Sequence, residues 1–339
     1  MNNILVAMSG GVDSAAACGF LLQQGYHVSG GTLLLRDGGE IEAEDARHAA
    51  EQMGLTFHLL EQKDAFYQSV VCPFIETYSA GKTPNPCIFC NETIKFGLFL
   101  DWALAHGYDG IATGHYAKIE QRKDGRYLLK KSLDAQKDQT YMLCRLTQSQ
   151  LSHVLFPLGD KTKADARAMA KHLGLDLASK HDSQDICFIP DGDYLDFLIR
   201  HGVVPKKGNF IDENGTVLGP HKGMEAYTVG QRRGLECACG RRVYVLGKRG
   251  NDIVLGDNDR LFTDTVEVED VNYIPFDTLD SPVRVEAKIR YSQTTSPATL
   301  FPTDFGARLK FDTPQRAVTP GQTAVFYQGD LVLGGGYIR

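Results

Sequence analysis

The run ILVAM at residues 4–8, SGGVDS at 9–14 and AAAC at 15–18 decides the fold of this chain. It begins with an apolar run rich in β-branched residues, which is typical of a strand. Two adjacent glycines follow and indicate a tight loop, and a helical periodicity then runs on to Gly25. Adjacent glycines let the backbone approach an anion, and the following helix directs its N–H groups and positive dipole end at it. With hydroxyl donors at Ser9 and Ser14, the stretch predicts a phosphate-binding loop.

The glycine loop lacks the lysine of the best-known phosphate loops. A Walker A motif requires Gly-x-x-x-x-Gly-Lys-Ser/Thr and a dinucleotide loop requires Gly-x-Gly-x-x-Gly, and residues 9–14 contain neither pattern. These residues resemble instead the SGGxDS loop of the ATP pyrophosphatase superfamily, whose members split ATP between its α- and β-phosphates and transfer AMP to a substrate oxygen. A bare Gly-Gly would indicate an ordinary strand-to-helix turn, but Ser9, Asp13 and Ser14 together favour the nucleotide loop.

Strand and helix patterns alternate over the first 120 residues. The spacing predicts strands at 28–35, 55–60 and 110–113 and helices at 42–53 and 91–105, the last with Asn91 as its N-cap. Such a series indicates an α/β fold with a doubly wound parallel sheet that binds ligands at the carboxyl ends of its strands. We therefore expect the loop at Gly114 to share one crevice with the glycine loop.

Beyond residue 200 the composition changes to glycine, proline and short β-type runs. Residues 208–217 indicate a strand, an Asn-Gly turn and a second strand. After about residue 263 only strands are predicted, including a strictly alternating run at 283–291, which is typical of a small barrel or sandwich.

Length and charge limit the class of protein. The chain has 339 residues, 42% hydrophobic content and a net charge of −6, ordinary values for a globular protein of two or three domains. Residues 201–250 differ, since they carry nine Lys and Arg against four Asp and Glu. A polyanion held at one face or a solvated basic loop region would each explain this excess. No secretion signal and no run of 18 apolar residues occur, so we expect a cytoplasmic protein.

The chain has eight cysteines, which we expect as thiols in the cytosol. Cys90 directly precedes a predicted helix, whose dipole would lower the pKa of its thiol and make it reactive near neutral pH. Cys187 lies among apolar neighbours much later in the chain, and the sequence does not show whether the two thiols meet. An inert buried thiol is the simpler interpretation of Cys18, Cys72 and Cys144.

Nine short segments, in order along the whole chain, resemble the bacterial tRNA-specific 2-thiouridylase family. They are residues 9–14, 83–86, 90–96, 113–116, 137–141, 156–157, 186–189, 227–235 and 319–322. The resemblance implies a pyrophosphatase-type catalytic domain with the PP-loop fold at 1–200, a small basic central domain at 201–262 and a tRNA-contacting β-barrel at 263–339. It also implies ATP and Mg²⁺ as cofactors, a tRNA with a wobble uridine as substrate, and a sulfur-donor protein as partner.

In that family ATP adenylates the C2 oxygen of the wobble uridine, a cysteine persulfide supplies sulfur, and AMP leaves. By position, Cys90 resembles the nucleophile and Cys187 the persulfide carrier. The residues that the resemblance assigns to ATP are Ala7, Met8, Ser9, Gly10, Gly11, Val12, Asp13, Ser14, Leu33 and Gly114. Those assigned to the target base or to tRNA are Asn85, Pro86, Cys87, His115, Lys137, Asp138, Gln139, Arg290, Tyr291 and Gln322.

Cys87 departs from the family pattern, which has Asp at this position. Cys87, Cys90 and Cys187 thereby form a set of three thiols that resembles the [4Fe–4S] site of iron–sulfur tRNA thiolases in the same superfamily. Persulfide chemistry, a cluster on these three residues and a structural zinc site stay open at this point. Two other classes of function also remain, a PP-loop synthetase that does not thiolate and a tRNA-binding protein.

Overall fold

The computed structural model describes residues 1–175 and 186–339. The strands of the first part are β1 (Asn3–Ala7), β2 (His27–Leu34), β3 (Phe57–Glu61), β4 (Gly110–Thr113), β5 (Ala117–Gln121), β6 (Tyr127–Lys131) and β7 (Val154–Leu155). Five of them form a sheet in the order β3-β2-β1-β4-β7, in which every pairing is parallel. The predicted parallel sheet is confirmed, and its strand order reverses between β1 and β4, the position at which such sheets bind ligands.

The helices of this part are α1 (Val12–Gln23), α2 (Glu40–Gln52), α3 (Lys63–Phe66), α4 (Cys72–Ser79), α5 (Pro86–Phe89), α6 (Phe99–Ala105), α7 (Gln148–Leu151) and α8 (Lys163–His172). π-helical turns at Tyr67–Val71 and Cys90–Leu98 join α3 to α4 and α5 to α6, and Thr140–Leu143 is a 3-10 turn. The helix predicted at 91–105 therefore begins earlier, at Pro86, because Asn85 rather than Asn91 caps it.

Different helices cover the two faces of the parallel sheet. Ile4 and Val6 pack with alanines of α1 and α2, whereas Leu5 packs with Phe99 and Leu100 at the start of α6. A strand covered on both faces needs apolar residues at consecutive positions, which the first strand supplies. This packing holds the carboxyl end of β1 next to the amino-terminal end of α1.

After α9 (Tyr194–Arg200) the chain forms a four-stranded sheet of β8 (Gly208–Ile211), β9 (Val217–His221), β10 (Tyr244–Arg249) and β11 (Asp252–Gly256). Its order is β10-β11-β8-β9, and the predicted Asn-Gly turn connects β8 to β9. Short 3-10 turns lie at Met224–Ala226 and Asn258–Leu261.

The remaining strands are β12 (Phe262–Tyr273), β13 (Val283–Lys288), β14 (Ser296–Thr303), β15 (Gly306–Arg316), β16 (Thr323–Gln328) and β17 (Leu331–Ile338). They pair in the order β12-β15-β14-β13-β16-β17, and β17 pairs back to β12, so six strands close into a barrel. Val285, Ala287 and Ile289 are buried in its core, as their alternation predicts. The predicted β-barrel is confirmed.

The barrel and the parallel-sheet region share one apolar core. The hairpin of β5 and β6, which the sequence analysis did not predict, extends the barrel sheet where Lys130 pairs with Leu331. Val325 and Tyr327 of the barrel lie in the same cluster as Leu129 of β6. Because this core crosses from one region to the other, it fixes the barrel against the edge of the crevice. Among the described residues no helix is long and apolar enough to cross a membrane.

Candidate active site

The glycine loop turns sharply from β1 into α1. Gly10 has a φ of +67°, and a Cβ at this position would lie 2.7 Å from Cβ of Asp45 in α2, so only glycine fits without strain. The Ser14 hydroxyl donates to the Gly11 carbonyl at 3.0 Å and accepts from the N–H of Ser9 at 3.2 Å. These bonds hold the loop around the first turn of the helix, whose amino-terminal end suits an anion.

Asp13 is the charged residue of the loop, and two donors hold its carboxylate. Lys163 Nζ lies 2.9 Å from Oδ1 and 2.8 Å from Oδ2, and the Tyr116 hydroxyl donates to Oδ1 at 2.8 Å. Lys163 begins α8 and Tyr116 follows β4, so three separate parts of the chain meet at one carboxylate. The sequence analysis gave neither residue a role at this loop, because nothing in the local sequence of either connects it with the glycines.

Gly114 brings the end of β4 against the start of α1. A Cβ on Gly114 would lie 2.7 Å from the carbonyl carbon of Asp13 and 2.9 Å from the backbone nitrogen of Ser14. The two loops expected to share a crevice are therefore in contact.

The other residues predicted to contact ATP lie at the same edge of the sheet. Ala7 ends β1, Val12 begins α1, and Leu33 lies near the end of β2. Met8 is buried, and its N–H donates to the Gly31 carbonyl of β2 at 2.8 Å. The structure thus brings residues 7–14, Leu33 and Gly114 together where the strand order reverses.

Asn85 begins the helical segment that carries two of the three cysteines. Its Oδ1 accepts from the N–H of Cys87 at 3.2 Å, and Pro86 occupies the first helical position, where a missing N–H costs nothing. Cys87 is exposed, whereas Cys90 is one turn further on and 8% exposed. Cys90 lies in an apolar cluster with Ile189, so the segment that contains the exposed Cys187 packs beside it.

Burial controls the ionisation of these thiols. Burial raises the pKa of Cys90 to about 12. The charge of Lys95 lowers this pKa, and the charges of Cys187 and Cys87 raise it further. The surrounding protein also removes water from the thiols of Cys87 and Cys187, and this desolvation raises their pKa values. The charge of Lys95 lowers both pKa values. The expected low pKa of Cys90 is wrong, because the helix starts at Pro86, so Cys90 lies past the first turn, and its surroundings are apolar.

No group of three or more His, Cys, Asp or Glu side chains is arranged to hold a metal ion within residues 1–175 and 186–339. Cys87, Cys90 and Cys187 influence each other's ionisation but do not form a coordination set.

The segment that leads into Asn85 is clamped by both other parts of the protein. The N–H of Thr83 donates to the Pro320 carbonyl at 2.8 Å, and Gln322 Nε2 donates to the carbonyls of Thr83 and Pro84 at 2.9 and 3.2 Å. From the central sheet region, the Thr228 hydroxyl lies 3.1 Å from the Thr83 hydroxyl. The barrel and the central region therefore fix the approach to the cysteine helix.

His115 is buried beside the crevice, and its ring packs against the rings of Phe96 and Phe156, which also contact each other. Its Nδ1 lies 2.7 Å from the Thr113 hydroxyl. Burial, with a smaller contribution from Lys95, holds the pKa of His115 well below its ordinary value. The imidazole is therefore neutral at physiological pH.

Residues 137–139 begin at the end of a turn that spans 135–137. Asp138 Oδ1 accepts from the N–H of Ser132 at 3.1 Å, and Gln139 Oε1 accepts from the N–H of Tyr116 at 3.0 Å. The backbone N–H of Lys137 donates to the Asp134 carbonyl. Gln139 is thereby linked to the residue that holds Asp13.

Two barrel residues predicted to contact tRNA have different surroundings. Tyr291 is 43% exposed, and its ring packs against Tyr141. Burial and Asp138 raise the pKa of Tyr291, with a smaller rise from the charge of Cys87, so its phenol lies near the thiol segment. Arg290 instead donates through Nη2 to the carbonyls of Val229 and Ala317 and to the Thr319 hydroxyl at 3.2, 2.6 and 2.6 Å.

Three family models match the chain. One described as a tRNA methyl transferase HUP domain matches residues 2–191, and one described as a tRNA methyl transferase PRC-barrel domain matches 196–257. A third, described as an aminomethyltransferase beta-barrel domain, matches 263–338.

Relatives of full length bear a different description. The tRNA-specific 2-thiouridylase MnmA 1 of Clostridium botulinum and the tRNA-specific 2-thiouridylase MnmA of Acetivibrio thermocellus are each 48% identical, with 99% of both chains covered. The protein of this name from Clostridioides difficile is 47% identical over 99% of this chain and 98% of its own.

Solved structures are far more distant. The U34-tRNA thiolase NcsA from Methanococcus maripaludis, with its [4Fe-4S] cluster, is 19% identical over 59% of this chain and 67% of its own, with a TM-score of 0.35. This likeness is too weak to support a conclusion about the cofactor.

Proposed function

Because the chain belongs to the tRNA-specific 2-thiouridylase family of PP-loop proteins, we propose that it uses ATP to replace the C2 oxygen of the tRNA wobble uridine with sulfur. One observation carries the proposal. Relatives with this name are 48% identical over 99% of the chain, so the likeness extends over the glycine loop, the cysteine helix and the barrel together. It is not limited to the nucleotide-binding fold, which proteins of other activities share.

The first step activates the uridine. Its C2 oxygen attacks the α-phosphorus of ATP, the bond to the β-phosphate breaks, and pyrophosphate leaves with that electron pair while the N3 proton passes to solvent. Mg²⁺ enters with ATP as part of the substrate. Residues 7–14, Leu33 and Gly114 bind the nucleotide, a role supported by their common position at the edge of the sheet. The AMP group then makes the former carbonyl oxygen a leaving group.

The second step transfers sulfur. Cys187 carries a persulfide, whose terminal sulfur forms a bond to C2 as AMP leaves. Cys90 then loses its proton to solvent and attacks the remaining sulfur of Cys187 as a thiolate, and a disulfide forms between the two residues. The sulfur on C2 leaves Cys187 with the electron pair of the broken bond, and N3 takes up a proton from solvent, which gives the thiocarbonyl. A sulfur-donor protein, a cysteine desulfurase or a sulfur relay protein, reloads Cys187 after a thiol has reduced the disulfide. The shared apolar cluster of Cys90 and the 186–189 segment supports this pairing.

The persulfide route is preferred to the cluster route, because the described residues offer no set of three ligands. No step is assigned to iron. Asn85, Pro86 and Cys87 face the target base in this proposal, since they line the beginning of the cysteine helix. A thiol at Cys87 cannot accept a proton as readily as the Asp of the family pattern, so Cys87 contacts the base and does not act as a general base.

The tRNA contacts would come from the regions around the crevice. They include Lys137, Asp138, Gln139, His115, Arg290, Tyr291 and Gln322. A neutral His115 would offer a ring face and one N–H to a base, which suits a nucleotide splayed out of its stack. The basic residues of 201–250 would hold phosphates. Because the proposed substrate is a tRNA, we propose that the protein acts in the cytoplasm.

The test uses the full chain, Mg·ATP, a tRNA transcript with a wobble uridine, and a cysteine desulfurase with cysteine. We expect 2-thiouridine in the digested tRNA together with AMP and pyrophosphate. Cys187→Ala should abolish 2-thiouridine and still bind ATP, whereas Cys72→Ala serves as the control at a thiol outside the proposed pair. AMP without 2-thiouridine in the wild type would favour a synthetase of another kind, and tRNA binding without AMP would favour a binding protein.

A further inference from the structure

An arginine with no predicted role holds the cysteine helix. Arg145 lies between the 3-10 turn at Thr140–Leu143 and α7. Its Nε and Nη2 atoms each donate to one carboxylate oxygen of Glu92 at 3.1 Å, and Glu92 lies two residues after Cys90. The side chains of Arg145 and Glu92 are 11% and 28% exposed, so water competes little for this pair of parallel hydrogen bonds.

The same guanidinium group contacts the barrel. Nη2 donates to Asp270 Oδ2 at 2.9 Å, and Nη1 donates to the Asp270 carbonyl. Asp270 belongs to β12, has a φ of +50° and lies where the pairing of β12 with β17 shifts its register. The Cζ atom of Arg145 also lies 5.0 Å from the ring centre of Tyr337 in β17, and this ring packs against Phe89, the residue before Cys90. One arginine therefore joins two barrel strands to the cysteine helix.

Two side-chain amides strengthen this connection. Gln150 Nε2 donates to the Glu92 carbonyl at 3.0 Å. On the barrel side, Asn272 Nδ2 donates to the carbonyls of the two residues that flank Arg145, at 3.0 and 3.1 Å. Residues 144–150 therefore form a bridge from β12 to the residue two positions after Cys90.

The proposed sulfur transfer makes a geometric demand on Cys90. Its sulfur must approach the Cys187 sulfur in line with the bond that breaks, and a displacement of about 1 Å can slow such a reaction about a hundredfold. Cys90 is 8% exposed and begins the π-helical turn Cys90–Leu98, a conformation that occurs mostly as single turns at functional sites. The position of the sulfur therefore depends on the groups that hold this turn, and Arg145 holds it at Glu92.

We propose that Arg145 is a positioning residue for sulfur transfer, which holds the Cys90 thiol through Glu92 at a place set by Asp270 of the barrel. This inference rests on the proposed thiolation reaction. It gives the barrel a second role beside contact with tRNA, because β12 fixes the nucleophile through one arginine. Since Arg145 acts through Glu92, it affects the sulfur-transfer step and leaves the release of pyrophosphate unchanged.

A general structural role predicts something different. If the pair of Arg145 and Glu92 only stabilised the fold, its loss would lower the Tm and slow both steps alike. A second arginine–glutamate pair on β12 provides the matched control, since Arg308 Nε lies 2.6 Å from Glu267 Oε1 between β15 and β12. Arg308→Met removes that pair and leaves the bonds to Glu92 in place.

The experiment compares Arg145→Met, Arg145→Lys, the double variant Arg145→Met/Glu92→Gln and the control Arg308→Met. With glutathione disulfide as the oxidant and neither tRNA nor ATP present, peptide mass spectrometry follows the formation of a disulfide between Cys90 and Cys187. For Arg145→Met we expect this rate and the rate of 2-thiouridine formation to fall by about tenfold to a hundredfold, with first-turnover release of pyrophosphate unchanged. Arg145→Lys keeps the charge and part of the hydrogen bonding, so it should recover part of both rates.

The double variant tests whether Arg145 acts through Glu92. It should be no slower than Arg145→Met, because a residue that acts through the Glu92 carboxylate has no further effect once that carboxylate is gone. It also removes the unpaired charge that Arg145→Met leaves behind, so it serves as the test variant if the single variant does not fold.

A wild-type rate of disulfide formation in Arg145→Met would overturn the inference. Equal loss of pyrophosphate release and 2-thiouridine with a lower Tm, or the same slowing in Arg308→Met, would also overturn it. The disulfide assay contains no substrate and so separates the inference from the proposed function. If disulfide formation depends on Arg145 but the wild type makes no 2-thiouridine, the function is contradicted and the positioning role is supported.

Discussion

The nucleotide loop and the thiol segments lie in the same region of the protein but are assembled in opposite ways. Six consecutive residues form the loop, and its shape comes from local backbone geometry at Gly10 and the Ser14 hydroxyl. The thiol region combines a helix at Cys87 and Cys90 with a turn at Cys187, and its entry is held by the barrel and the central region. The backbone turn of the loop is encoded locally, whereas the thiol region depends throughout on three distant parts of the chain.

The two regions also differ in charge. In the nucleotide loop the Asp13 carboxylate forms an ion pair with Lys163. At Cys90 the apolar surroundings keep the thiol protonated, and only Lys95 opposes them among the causes of its raised pKa. The loop thus holds a paired charge at rest, whereas the Cys90 thiol needs a change in its surroundings before it reacts.

The largest expected effect concerns the ionisation of Cys90. Since only the thiolate is alkylated, the rate of modification by iodoacetamide should rise about tenfold per pH unit from pH 7 to pH 10 in the folded protein. Peptide mass spectrometry would follow Cys90, with the urea-unfolded chain as the control, in which the rate levels off near the ordinary value of 9.0. If the alkylation rate of Cys90 reached a plateau below pH 9 in the folded protein, the thiol would ionise as easily as in the unfolded chain and the raised pKa would be contradicted.

The same pKa has a consequence for stability. The folded value of about 12 lies above the ordinary 9.0, so the folded state holds the proton more tightly. This contribution is complete below pH 9 and is lost as the pH rises towards 12. In urea denaturation, the free energy of unfolding of Cys90→Ala should therefore fall less between pH 9 and pH 12 than that of the wild type.

Gly114→Ala tests whether backbone contact alone maintains the nucleotide loop. The added Cβ would lie 2.7 Å from the backbone of Asp13, so the loop must move. Overpacking costs about 1–3 kcal/mol, and if this cost is borne by the ATP-bound state, ATP binding weakens by about fivefold to about 150-fold. Gly247→Ala is the control, since a Cβ there meets nothing within 4 Å. Unchanged ATP affinity in Gly114→Ala would show that the crevice tolerates movement.

Gln322→Leu tests the clamp on the thiol region. It removes the two hydrogen bonds to the Thr83 and Pro84 carbonyls, each worth about 0.5–1.5 kcal/mol, so we expect thiolation to fall by about tenfold. ATP binding should not change, because the glycine loop lies outside this clamp. Gln328→Leu, at an exposed barrel position, is the matched control. If ATP binding in Gln322→Leu fell as much as thiolation does, the nucleotide loop and the thiol region would not be independent.

The smallest expected effect is at the helix cap. Asn85→Ala removes the acceptor for the N–H of Cys87, and Asp193→Ala removes the equivalent cap of α9. Each should cost about 1 kcal/mol of stability in urea denaturation. Only Asn85→Ala should also slow thiolation, by a few fold, and Asn85→Ser should restore the rate. If both cap variants slow thiolation equally, the effect comes from general stability.

Much of the fold was predictable because local periodicity encodes it. The parallel sheet, the Asn-Gly turn at 208–217 and the alternating barrel strand follow from patterns within a few residues. The hairpin of β5 and β6 was missed even though Asp124-Gly125 at its turn is a hairpin signal, and its pairing with β17, some 200 residues away, has no counterpart in the local sequence. The start of the cysteine helix was misplaced for a related reason, because Asn85 and Asn91 are both good N-caps and packing selects between them.

Contiguous stretches of the chain were enough to identify the glycine loop, the cysteines and the order of the segments that mark the family. Those features depend on contiguous residues and on backbone conformations that few residue types adopt. Only the tertiary structure decided that Lys163 pairs with Asp13 of the loop, and that burial raises the pKa of Cys90 instead of a helix end lowering it. Charge pairing and desolvation depend on which distant groups pack together, and a linear pattern does not contain that information.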